Sequence, residues 1–154
     1  MGIESTLWHV FPAPLTDAAD IIPLSLYLLI AAYLLLERIV SNRTIVFAAL
    51  SLLVLFLILI EPLHLLQGSL VYLIIAGVFG LLFYGIKQKY KNLPSLWIWI
   101  LLVFGSSILF RTIDSVLCES FGIGTHFLWH VLNAIAVYLL IRFLVQLKSF
   151  EKTN

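Results

Sequence analysis

Five long apolar runs, each closed by charges, proline or glycine, decide what this chain can fold into. They fall at about residues 21–40, 44–60, 69–86, 96–113 and 126–147 of 154. A helix needs about 20 apolar residues to cross a bilayer core, and each run approaches that length. Backbone groups in hydrocarbon must be satisfied within the segment, so such runs are helices. Barrel strands would alternate polar and apolar residues, whereas these runs are apolar on every side. Composition agrees: 62% of residues are hydrophobic and 11% charged, against ~25% charged in a typical soluble domain. Too few charges remain to clothe a water-facing surface. The expected fold is all-α, a polytopic transmembrane helix bundle of five full spans in a single integral-membrane domain, 1–154. A partial helix is expected at 1–11, too short to cross, with Pro12 and Pro14 breaking it from the first full span.

Two other classes fall away. A single cysteine, Cys118, builds no internal disulfide framework. A net charge of +1 without a dense basic patch argues against a nucleic-acid partner. The basic residues instead set an orientation. Arg38 and Arg43 follow the first run, Lys87, Lys89 and Lys91 the third, and Arg142, Lys148 and Lys152 lie toward the end of the fifth. Arg111 alone stands apart. Lysine and arginine gather on the cytoplasmic side. The C-terminus is therefore expected in the cytoplasm, and the opposite ends toward the outer or lumenal side.

Ionisable groups at helix depth are costly and by default functional. His9, Asp17 and Asp20, Asp114, and His126 and His130 come from three separate stretches, yet the topology brings all of them to that outer layer. His126 and His130 are four apart in Gly124-Thr-His126-Phe-Leu-Trp-His130, so they share one helix face. Two such imidazoles suit one zinc ion. They equally suit a pair of interfacial histidines beside Phe127 and Trp129, and the pattern lacks the glutamate of HExxH proteases. His9 would supply a third ligand, giving the three-ligand pattern of a catalytic zinc site. Cys118 ranks lower, as a single cysteine that more often serves as packing. A carboxylate beside zinc-activated water takes its proton, a role open to Asp20. Helix capping is the competing role for Asp20, although Asp17 is the better cap. Glu61-x-x-His64 occurs once, whereas a di-iron bundle needs two copies, so it reads as an interfacial turn. Arg111 and Asp114, three apart, read as a structural pair at the end of the fourth run. Phe104, Phe110 and Trp97 are candidates for the walls of a lipid-tail cavity.

Taken together these residues resemble a known family. Ser5-Thr-Leu-Trp-His9 followed by Asp20-Ile-Ile-Pro23 resembles the Ser-x-x-x-His and Asp-x-x-Pro elements of the alkaline ceramidase family. Asp114-Ser-Val-Leu-Cys118 resembles its Asp-x-x-x-Cys segment, and His126-Phe-Leu-Trp-His130 its last histidine motif. The intervening spans match only in hydrophobic character. Related membrane hydrolases include the progestin and adipoQ receptor family. The resemblance implies a seven-helix fold and an intramembrane zinc ion held by His9, His126 and His130. It also implies that Asp20 activates water and Ser5 stabilises the oxyanion. The implied reaction is hydrolysis of an amide in a lipid, ceramide or a ceramide-like N-acyl lipid. The family's acidic calcium-binding segment has no counterpart here, and Cys118 has no partner for the family disulfide.

Against seven helices, 154 residues are short by about one and a half spans. An upstream in-frame extension of ~40–60 mostly apolar residues is therefore expected. Three alternatives stand beside the hydrolase: a non-catalytic, receptor-like or transport-type protein that binds lipid at the same polar site, an inactive fragment, and a haem protein with histidine axial ligands. The last needs histidines on facing helices, and His126 and His130 share one face.

Overall fold

The computed structural model describes residues 14–63, 65–66, 68–91, 95–121 and 124–153; of 14–20, 115, 119–121 and 152–153 it describes the backbone alone. These residues form five helices and no strand. They are α1 (Pro14–Ile39), α2 (Arg43–Ile60), α3 (Leu70–Lys89), α4 (Leu96–Phe121) and α5 (His126–Thr153), with a short 3-10 turn, Glu61–Leu63, after α2. All five are long and apolar enough to cross a membrane. The expected runs are therefore all present as helices, but several helices outlast them. α1 begins at Pro14 rather than near 21, because proline fits the first helical position, where no N–H bond is lost. Asp17 thus lies inside the helix and is not its cap. α4 continues past Asp114 to Phe121, and α5 runs on to Thr153. Glu61 is an exposed turn residue, as expected; His64 lies outside the described residues.

One buried layer joins all five helices. Ala31 and Leu35 of α1 meet Val46 of α2, Phe83 and Ile86 of α3, Ile100 of α4, and Leu140 and Phe143 of α5. The Phe83 and Phe143 rings contact edge-to-face at 5.1 Å, the geometry that aromatic quadrupoles favour. Ala31 and Ala32 let α1 approach closely, as small residues do between membrane helices. A second cluster sits nearer the other end, built from Leu24, Phe104, Ile108, Trp129 and Ala136. α4 and α5 form the most extensive helix pair. α2 is the least embedded, burying only Val46 and Leu50. Its exposed Phe47, Leu52, Leu55 and Leu59 are suited to lipid and not to water.

The C-terminal ends of α1, α3 and α5 are tied together. Glu151 accepts hydrogen bonds from Arg38 Nε at 2.9 Å and from the Tyr90 hydroxyl at 2.8 Å. Lys89 Nζ donates to the Arg38 carbonyl at 2.6 Å. Burial, and then the hydrogen bond and charge of Glu151, push the Tyr90 phenol above its usual pKa, with Arg38 pulling the other way. The phenol therefore stays protonated and remains a donor. This clamp brings basic residues of α1 and α3 to one end of the bundle, with Glu151 of α5 between them. The α4–α5 turn and the start of α3 lie at the other.

Candidate active site at the α4–α5 turn

The turn between α4 and α5 is anchored by side chains. The Thr125 hydroxyl donates to the Phe110 carbonyl at 2.7 Å, and the Leu128 N–H closes the first turn on the Thr125 carbonyl at 2.9 Å. Asp114 Oδ1 accepts the His126 N–H at 2.7 Å. Asp114 thus serves the N-terminus of α5 from twelve residues away, satisfying one of the N–H groups that a helix start leaves open. Gly124 makes this possible: a Cβ there would stand 2.5 Å from Asp114 Oδ1 and 3.3 Å from its Cγ.

The two histidines come next along α5. Their rings meet with centres 4.9 Å apart at an interplanar angle of 65°. Imidazoles bound tetrahedrally to one zinc ion at ~2.0–2.1 Å place their ring centres about 5 Å apart, so the ring spacing is compatible with a shared metal, as it is with an edge-to-face ring contact. Asp114 Oδ2 lies 3.9 Å from His126 Nδ1. That is too long for a hydrogen bond, and it sets the carboxylate beside the His126 ring. The His126 and Asp114 side chains are 23% and 26% exposed, which leaves the site accessible from the bundle end.

Among the described residues, no group of three His, Cys, Asp or Glu gathers to hold a metal. The expected third ligand, His9, and the expected oxyanion residue, Ser5, lie outside those residues. The Asp20 backbone falls in the second turn of α1, and its side chain is likewise outside. Cys118 is exposed, not buried as packing would require. The expected Arg111–Asp114 pair does not form: Asp114 turns to α5, and Arg111 turns to aromatic rings. The Arg111 Cζ stands 5.1 Å from the Tyr72 ring centre and 5.2 Å from that of Trp129. Phe104 lines a cavity of about 20 Å³ among Leu24, Phe79, Asn133 and Ala136, room for a water and not for a lipid tail. A larger groove of about 500 Å³ opens between α1 and α2, walled by Leu29, Tyr33, Phe47, Val54 and Ile58.

Sequence reasoning missed Asp114 as a partner of His126, and it missed the aromatic setting of Arg111. Both contacts join residues brought together only by helix packing. A Gly-Thr-His start to a helix after an isolated aspartate was the one available signal. No family model, curated protein or solved structure matches this chain.

Proposed function

We propose that this chain is a zinc-dependent intramembrane hydrolase that cleaves an amide bond in a lipid, ceramide or a ceramide-like N-acyl lipid. The observation that carries the reading is the His126–His130 ring pair at 4.9 Å, with Asp114 behind His126, at the end of the bundle. The resemblance of the polar segments to alkaline ceramidases supports it and supplies the remaining parts. His9, His126 and His130 would hold the metal, which supplies a Lewis acid for the amide carbonyl. Asp20 takes the proton of the attacking water and returns it to the leaving amine, as one carboxylate can in successive steps. Ser5 donates to the oxyanion that develops at the carbonyl. Placement at the ends of spans lets a headgroup amide enter while the acyl chains stay in hydrocarbon.

The test is zinc content of the purified protein and of His126→Ala and His130→Ala, with fatty acid release from a panel of N-acyl lipids. The wild type should carry zinc and release fatty acid, and both variants should lose both. Equal zinc in all three samples rejects the site. Asp20→Asn separates the hydrolase from a lipid-binding protein built on the same site: it should keep zinc while hydrolysis falls by at least ~100-fold.

A further inference from the structure

Arg111 lies away from the end where Arg38 and Lys89 are clamped, and it sits one turn inside the end of its span, Leu96–Asp114. Among the described residues it forms no ion pair, and its Nε is buried without a hydrogen-bond partner. The Tyr72 and Trp129 rings hold the guanidinium instead. Aromatic faces stabilise the cation but accept none of its N–H bonds in the plane.

A second orphan lies beside it. Ser69 occupies the N-cap of α3 and is fully buried at 0% exposure, yet its hydroxyl neither caps the helix nor meets any partner. It follows Gly68, held at φ +77°, whose added Cβ would stand 3.7 Å from an Arg111 terminal nitrogen. The turn carrying Ser69 therefore abuts the guanidinium, and Tyr72 projects from the same first turn of α3. That helix start carries no acidic residue and has the partial positive charge that favours anions. An unsatisfied Nε on Arg111, an unsatisfied hydroxyl on Ser69 and a helix N-terminus without an acidic residue in its first turn all call for the same ligand chemistry.

We propose that Arg111, Ser69 and the N-terminus of α3 form a binding site for the oxyanion headgroup of a lipid, a carboxylate or a phosphate, with Tyr72 and Trp129 fixing the arginine. Its place one turn inside the end of a span suits an amphiphile whose chain lies in hydrocarbon. The site stands independently of the hydrolase reading, although a fatty-acid carboxylate is also the acyl product of that reaction.

Binding to the 154-residue chain in detergent is measured by equilibrium dialysis with oleate, dioleoyl phosphatidic acid and, as neutral control, oleyl alcohol. Oleate and phosphatidic acid should bind more tightly than the alcohol. Arg111→Gln should weaken both by at least tenfold, roughly the loss of one charge-assisted hydrogen bond. Arg111→Lys should be intermediate, since it keeps the charge and loses the planar fork. Ser69→Ala removes a hydroxyl with no protein partner, so it should melt no lower than wild type and still bind about threefold to tenfold more weakly. Equal affinity for oleate and oleyl alcohol overturns the proposal. So does unchanged oleate binding in folded Ser69→Ala and Arg111→Gln. Displacement by millimolar inorganic phosphate overturns the assignment to a lipid.

Discussion

Asp114 does two jobs with two oxygens, and the jobs separate by mutation. Oδ1 caps α5 on the His126 N–H, and Oδ2 faces the His126 ring. Asp114→Asn keeps an acceptor for the cap but loses the charge behind the ring. It should leave the melting temperature nearly unchanged while zinc affinity falls ~10–100-fold, the usual cost of losing a carboxylate behind a histidine ligand. Asp114→Ala loses both, adding about 1 kcal/mol of destabilisation. Gly124→Ala should behave like Asp114→Ala although it touches no histidine, because its Cβ occupies the position of the carboxylate. Thermal melts and metal titration of the three variants check this; a Gly124→Ala protein with normal zinc affinity would refute the link. The histidine pair was legible in the sequence because i, i+4 spacing on a helix is local. The Asp114–His126 contact was not, because the competing partner, Arg111, was equally local. What decided between them was the unsatisfied N-terminus of α5 on one side and two aromatic rings on the other, both supplied by tertiary structure.

At the level of elements, a buried polar link joins α4 and α5 among the described residues. The Ser107 hydroxyl lies 2.6 Å from the Phe104 carbonyl and 3.0 Å from Asn133 Oδ1, while Asn133 Nδ2 has no partner. One hydroxyl hydrogen does not fully serve two acceptors. With the Asn133 amide turned over, its nitrogen donates to Ser107 Oγ and the hydroxyl donates to Phe104, which gives both groups a partner; amide oxygen and nitrogen are assigned from such networks. Asn133 also lines the small cavity. Asn133→Ala should therefore destabilise the α4–α5 pair by about 1 kcal/mol, of which roughly 0.6 kcal/mol is the interhelical hydrogen bond and the rest the enlarged cavity. Ser107→Ala should cost at least as much, since it leaves the buried Asn133 amide without its hydroxyl partner. Unfolding in mixed micelles measures both. Elements differ from residues in legibility. The five helices were visible because hydrophobic length alone demands them, but their ends were not. Apolar runs mark where the chain leaves lipid, and a helix continues beyond that wherever its residues allow. Asp114-Ser-Val-Leu-Cys118 and the tail after 147 both do so, as part of α4 and α5.

The whole molecule has two chemically different ends, and this difference fixes a direction. At one end, Arg38, Lys89, Tyr90 and Glu151 clamp three helices, with further lysines beyond them in the sequence. At the other, Asp114, His126, His130 and the lone Arg111 surround the α4–α5 turn. Positive residues are retained on the cytoplasmic side during insertion, so the clamp should face the cytoplasm and the histidine site the outer or lumenal side. The chain carries its own probe of this. Cys118, its only cysteine, is exposed on α4, one helical turn beyond Asp114, where that membrane span ends. If the chain resides in a plasma membrane, a membrane-impermeant maleimide should label Cys118 in intact cells. A Cys118→Ser/Lys91→Cys variant should label only after permeabilisation. In an internal membrane the same contrast is read with sealed vesicles, where Cys118 should be protected and the cysteine at 91 accessible. The opposite pattern would place the histidines in the cytoplasm and reverse the side from which a lipid headgroup enters the site.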